Sequence, residues 1–251
     1  MMALEPWQWA LLMLGALFVG MAKTGLAGLG TLFIAIFASV LPTKQSTGLV
    51  LPLLIFGDLV AVATYWRHAQ WKQLLRLFPW AASGVVLGYF TLDRINNEQA
   101  RVLVGSIILA LLGLHLWTRT RAHARFERWK TEGMPLPIVV GTGVLGGVTT
   151  LIANAAGPLM SIYLLALRLP KLEFLGTAAV YFLILNLFKV PFMMDLGLVT
   201  FSSLKVNMIL APVVVVGAFA GKWLVHRINQ QAFERFTMAM TALAGLKLVF
   251  S

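Results

Sequence analysis

The amino-acid sequence predicts an all-α polytopic membrane protein built from two inverted-topology repeats, each a broken helical hairpin followed by three transmembrane helices. Three observations carry this expectation. Apolar segments recur along nearly the whole chain, a Gly-rich break interrupts them once in each half, and Lys and Arg gather in loops that a hairpin topology places on one side.

Of the 251 residues, 59% are apolar and only 12% are charged, with a mean hydropathy of +0.85. That lies well outside the range of soluble domains. The longer apolar stretches have no polar face to leave in water, so a water-soluble fold would have to bury them on every side. The net charge of +11 does not mark a nucleic-acid partner, because the basic residues sit in short loops between apolar segments. There they orient membrane helices. The chain has no cysteine, which excludes disulfides and thiolate metal sites. Met1 to Pro6 carries Glu5 and no Lys or Arg, so it lacks the basic start of a cleavable signal peptide, and the first apolar segment is expected to remain.

The first half holds apolar segments at 7–22, 25–41, 46–66, 77–92 and 102–118, and the second at 135–149, 157–168, 174–194, 206–225 and 233–250. Residues 1–118 therefore read as one membrane repeat, 119–134 as a basic cytoplasmic connector and 135–251 as the second repeat. The halves align in order: Gly20 with Gly147, Gly30 with Gly157, Gly48 with Gly176, Asp58 with Asn186, Pro79 with Pro212, Gly84 with Gly217 and Gly88 with Gly221. An ordered series of this kind points to duplication.

Loop charge decides how each break behaves. If each is a hairpin, nearly all loop Lys and Arg fall on one side, leaving only Lys44, Arg94, Arg101 and Lys205 on the other. If each lies within a single crossing, the same residues divide almost evenly, so the hairpin topology is the one that obeys the positive-inside rule. Five segments per half then invert the second repeat, bring the two tips in from opposite faces and leave both termini extracytoplasmic. The hairpin arms are short against a hydrocarbon core of about 30 Å and read either as re-entrant arms or as tilted spans.

At a hairpin tip the second arm begins with unpaired N–H groups and the positive end of a helix dipole, which together favour an anion. The substrate-binding candidates are Lys23, Thr24, Gly25, Gly28 and Gly30 at the first tip, and Thr149, Thr150, Asn154, Gly157 and Pro158 at the second. Glycine admits a small ligand close to the backbone, and Pro158 suits a first helical turn. The alternative use of such glycines is tight helix packing; their matched placement in both halves favours the ligand. Lys23 either faces a cavity or anion or snorkels to a surface. The Thr hydroxyls and Asn154 bond oxyanion atoms or cap helix ends, and Asn154 is the stronger candidate because an amide in an apolar stretch needs a partner.

Asp58 is an acidic residue inside a predicted span, hence a functional candidate. It carries a proton, or it pairs with Lys23 or Lys189 and fixes the packing. Asn186 and Lys189 join it as coupling or pathway residues, Lys189 lining the pathway or snorkelling outward just before Pro191, where a kink is expected. The histidines have no metal-ligand spacing, and no Ser, His and carboxylate arrangement can be traced, so the expectation is no enzyme, no metal and no cofactor. Trp71, Trp80, Trp117, Trp129 and Trp223 read as interfacial anchors.

These motifs resemble the sulfite exporter TauE/SafE family. The first match is Gly20-Met-Ala-Lys-Thr-Gly-Leu-Ala-Gly-Leu-Gly30, followed by a Pro near the end of the arm and a Gly-rich helix. The second is Thr149-Thr-Leu-Ile-Ala-Asn-Ala-Ala-Gly-Pro158, followed by Tyr163-Leu-Leu. The resemblance spans nearly the whole chain and departs at Ala156 and Leu159, where many members have Gly and a second Pro. It implies an inner-membrane transporter that exports a small organic or inorganic anion, such as sulfite, sulfoacetate or a related sulfonate or carboxylate, by alternating access. An anion channel and a non-transporting membrane assembly factor are the alternatives. The expected partners are a small anionic substrate and the lipid bilayer, not nucleic acid; oligomeric state is left open, with a homodimer compatible.

Overall fold

The computed structural model describes residues 5–26, 29–41, 43–92 and 134–250, with isolated positions between 98 and 113. Gly28, His115, Trp117, His123, Trp129, most of the segment at 102–118 and nearly all of the connector lie outside the described residues. Among the described residues the chain is helical, without strands.

Helix α1 (Pro6–Thr24) starts on a capping box in which Glu5 and Gln8 exchange side-chain and backbone hydrogen bonds, with Pro6 in the first turn where its missing N–H costs nothing. It stops at Gly25 and the chain resumes as α2 (Gly30–Val40). Then follow α3 (Thr43–Tyr65), a 3₁₀ turn at Trp66–His68 and α4 (Trp71–Leu92). The second half repeats the order with α5 (Leu136–Ala153), α6 (Ala156–Ala166), α7 (Lys171–Asp195), α8 (Phe201–Arg227) and α9 (Gln230–Phe250). Helix α7 continues through Pro191 to Asp195.

Several helix ends differ from the expected segments, α2 starting later, at Gly30, and α4 and α8 earlier, at Trp71 and Phe201; the difference that bears on the site is at the second break. Helix α5 does not end at 149 but runs through Thr149 and Thr150 to Ala153, so the second break is only Asn154 and Ala155. The Thr149 hydroxyl donates to Gly146 O at 3.2 Å within the helix, which satisfies it without unwinding the backbone. The turn comes at Asn154, whose φ of 52° puts it in the left-handed region, which Asn tolerates better than most residues.

By length and composition, five stretches among the described residues suffice to cross a membrane: Gln45–His68, Trp71–Thr91, Leu136–Ala153, Lys171–Asp195 and Phe201–Arg227. The second hairpin arms do not. Helices α2 and α6 have 11 residues each. At 1.5 Å per residue that is about 16 Å, roughly half of a ~30 Å hydrocarbon core, so neither helix is long enough to cross it alone. Leu75, Phe90, Phe201, Met208 and Phe219 are all more than half exposed, an apolar outer surface suited to lipid. Trp71, Trp80 and Trp223 are likewise exposed.

Glycines set how the helices cross. A side chain at Gly20 would run into the Val214 carbonyl, and one at Gly217 into the Leu17 carbonyl, so α1 and α8 meet backbone to backbone; Gly25 lies on Gly221 further along, which makes the two helices parallel. The same contact recurs between α4 and α5. Gly84 meets the Val144 carbonyl, Gly147 the Ala81 carbonyl, and Gly88 lies beside Val148 and Leu151. Such close approach lets dispersion and carbonyl contacts hold helices together where lipid removes the hydrophobic drive.

Helices α3 and α7 cross in the opposite sense. Gly48 near the start of α3 touches Leu198 beyond the end of α7, and Gly176 near the start of α7 touches Tyr65 at the end of α3. They are antiparallel. Gly15 of α1 meets Ile36 and Phe37 of α2, so the first break folds back as a hairpin.

Candidate functional site

Both hairpin tips and the middles of α3 and α7 surround one cavity of about 60 Å³. A water needs roughly 10–15 Å³ on this measure, so the space suits a few waters or one small ion. The polar groups on its wall are Lys23, Thr150, Asn154, Ser161 and Asn186, set among apolar side chains such as Phe33 and Phe174. Ten of the eighteen described lining residues form pairs at near-constant sequence spacing: Lys23 with Thr150, Gly30 with Gly157, Phe33 with Met160, Ile34 with Ser161 and, one residue further, Leu54 with Phe182.

Lys23 stands in the last turn of α1, where its charge also complements the helix C-terminus. Its side chain is 11% exposed and forms an ion pair with the fully buried Asp58 of α3, Nζ to Oδ1 at 2.8 Å. The ammonium also lies 4.4 Å from the centre of the Phe182 ring, a cation–π contact. Asp58 accepts a second bond at Oδ2, from the Asn186 amide of α7 at 2.7 Å.

Asn186 Oδ1 in turn accepts from Lys189 at 3.3 Å. The Lys189 side chain is wholly buried, and its ammonium also donates to Thr150 O at 3.0 Å, to Asn154 Oδ1 at 2.7 Å and contacts Thr150 Oγ1 at 3.1 Å. Three of these oxygens, the Thr150 carbonyl and the two amide oxygens, can only accept. A charged ammonium offers three N–H groups and no lone pair, which matches them. Lys189 therefore does not snorkel; it ties the end of α5 to α7. Tyr65 of α3 does the neutral equivalent at the first tip, donating from its phenol to Thr24 O at 2.8 Å.

The remaining sequence candidates separate into two groups. Gly30, Gly157 and Pro158 line the cavity at the first turns of α2 and α6. A Cβ at Gly157 would meet nothing within 4 Å, so that glycine is not there for packing. Thr24, Gly25 and Thr149 do not line it. Thr24 Oγ1 is spent on Ala218 O at 2.6 Å and Gly20 O at 3.1 Å, Gly25 packs on Gly221, and Thr149 bonds within its own helix. Asn154 both ends α5 and joins the cluster, its Nδ2 donating to Thr47 O at 3.1 Å. Sequence reasoning passed over Ser161 and Phe182. Each carries a faint signal: Ser161 stands one helical turn beyond Gly157, and Phe182 one turn before Asn186, on the same faces.

A family model described as Sulfite exporter TauE/SafE matches residues 12–248, nearly the whole chain. No curated protein and no solved structure matches it.

Proposed function

The chain belongs to the sulfite exporter TauE/SafE family of membrane transporters, and on that premise we propose that it exports a small organic or inorganic anion by alternating access. The observation that carries the reading is the Lys23–Asp58–Asn186–Lys189 cluster at the wall of a cavity between the two hairpins. The cluster holds two ammonium groups and one carboxylate, which pairs with Lys23 alone, and the first turns of α2 and α6 add N–H groups at Gly30 and Gly157. Everything in this neighbourhood that is uncompensated is positive.

The helix crossings support an inverted repeat. Helices α1 and α5 make matching parallel contacts with α8 and α4, while α3 and α7 run antiparallel. Hairpins of opposite insertion hold the substrate near the bilayer midplane, and rocking of one half against the other exposes it to each side in turn. The loops at 67–76 and 168–173 then face the cytoplasm, and both termini lie outside, in an inner membrane. The candidate substrates on this reading are sulfite, sulfoacetate and related sulfonates or carboxylates. Export of a monovalent anion from a negative interior gains about 2.3 kcal/mol per 100 mV, so no coupling ion is required.

Thermal unfolding of the purified protein with sulfite, sulfonates, thiosulfate and short carboxylates, followed by flux in proteoliposomes, tests this. Stabilisation by at least one anion, lost in Lys23→Ala, is expected. No response to any anion, with Lys23→Ala unchanged in flux, would remove the site.

A further inference from the structure

The cluster has an internal charge balance that bears on what it accepts. Lys23 and Lys189 contribute two positive charges and Asp58 one negative charge. Lys189 has no carboxylate partner among the described residues; the oxygens around it belong to the neutral groups of Thr150, Asn154 and Asn186. Those same three residues line the cavity, so the Lys189 charge acts through a single layer of polar side chains. Lys23 touches the cavity directly, whereas Asp58 is shut away behind it and does not. The carboxylate therefore cancels one of the two positive charges without offering the substrate a contact.

We propose that Asp58 sets the valence of the transported anion, holding the site to a single uncompensated positive charge and so, within the substrate class above, to monoanions such as hydrogensulfite, a monosulfonate or a monocarboxylate and against dianions such as sulfoacetate. This rests on the anion-site reading above. In a buried site a second negative charge on the ligand has nothing to pair with, and an unpaired charge removed from water is strongly disfavoured. Replacing the carboxylate with its neutral isostere leaves two uncompensated positive charges, Lys23 on the cavity wall and Lys189 one layer behind it, and the site then fits a dianion. Phe182, stacked on the Lys23 ammonium, keeps that charge against the wall whether or not the carboxylate is present.

Methanesulfonate and methanedisulfonate provide the test, because both are anions of strong acids whose charge does not change across the working pH range. Their apparent affinities are read from thermal unfolding of the purified, full-length protein at matched ionic strength. Wild type is expected to favour the monoanion by about tenfold or more, and Asp58→Asn to reverse that order by a similar factor. The double variant Lys23→Gln/Asp58→Asn removes both partners of the pair, leaves no stranded charge and retains one positive charge at Lys189. It is expected to bind more weakly yet keep the wild-type preference.

An Asp58→Asn protein that keeps the wild-type order, or a double variant that turns to the dianion, overturns the proposal while leaving anion transport intact. If Asp58→Asn does not fold, the double variant decides. Failure of wild type to respond to either probe or to any other small anion sinks the anion-site reading itself.

Discussion

Asn186 donates its side-chain amide to Asp58 Oδ2 at 2.7 Å, and these two residues occupy matching positions in the two sets of apolar segments. Their helices, α3 and α7, cross antiparallel. The pairing joins a carboxylate on one helix to an amide at the corresponding position of the other. Each flank holds a lysine, Lys23 toward the cavity and Lys189 behind it.

Breaking the ion pair from one side is expected to cost more than removing it whole. Lys23→Met leaves the fully buried Asp58 with only Asn186, and loss of one partner of a buried pair costs about 3–5 kcal/mol. Lys23→Met/Asp58→Leu strands no charge and is expected to recover most of that loss. Unfolding of the single and double variants in detergent measures the difference; equal losses in both would count against a pair of this kind.

Lys189→Met is expected to loosen the second hairpin tip specifically. It takes a donor from Thr150 O, Asn154 Oδ1 and Asn186 Oδ1, and each stranded buried acceptor costs about 1–3 kcal/mol. Hydrogen exchange across residues 150–158 reads the effect, with a smaller change expected near the first tip. Tyr65→Phe gives the converse pattern at Thr24, with a loss of about 1 kcal/mol.

Two glycines of one hairpin are expected to respond oppositely to alanine. At Gly147 the added methyl strikes the Ala81 carbonyl of α4, so Gly147→Ala costs about 1–3 kcal/mol or prevents assembly of the crossing. At Gly157 it enters open space in the cavity wall. Gly157→Ala therefore leaves stability within about 0.5 kcal/mol of wild type while weakening anion stabilisation and flux. Parallel thermal unfolding and transport assays separate the two; a large stability loss at Gly157 would contradict its place on the wall.

The native chain has no cysteine, so single cysteines report topology directly. Lys72→Cys, in the first turn of α4, is expected to resist a membrane-impermeant thiol reagent in intact cells. Ser202→Cys, exposed in the first turn of α8, is expected to label. The reverse labelling pattern would invert the proposed orientation.

Much of the architecture was legible before any coordinates. Transfer of a residue into lipid is close to additive along the chain, so runs of Leu, Val and Phe mark the long apolar helices, and the glycines that recur in both halves mark close helix crossings such as those at Gly20, Gly84, Gly147 and Gly217. Asp58, Asn186 and Lys189 could be singled out because polar groups in such runs are costly wherever they end up. The break at Asn154 was visible only approximately, since Thr149 and Thr150 look like breakers in sequence but find their partners within and beside the helix.

What the sequence left open depends on which helix faces which. Membership in the membrane class, the order of the segments and the two breaks follow from local composition. That Asp58 takes Lys23 rather than Lys189, that Lys189 is buried rather than snorkelling, that Gly157 borders a cavity while Gly25 packs on Gly221, and that α2 folds back on α1 come from the tertiary structure. The physical reason is the solvent. Lipid gives apolar faces no preference among neighbours, so helix partners are chosen by the fit of small residues and by the few polar bonds available, and both exist only once the segments have met.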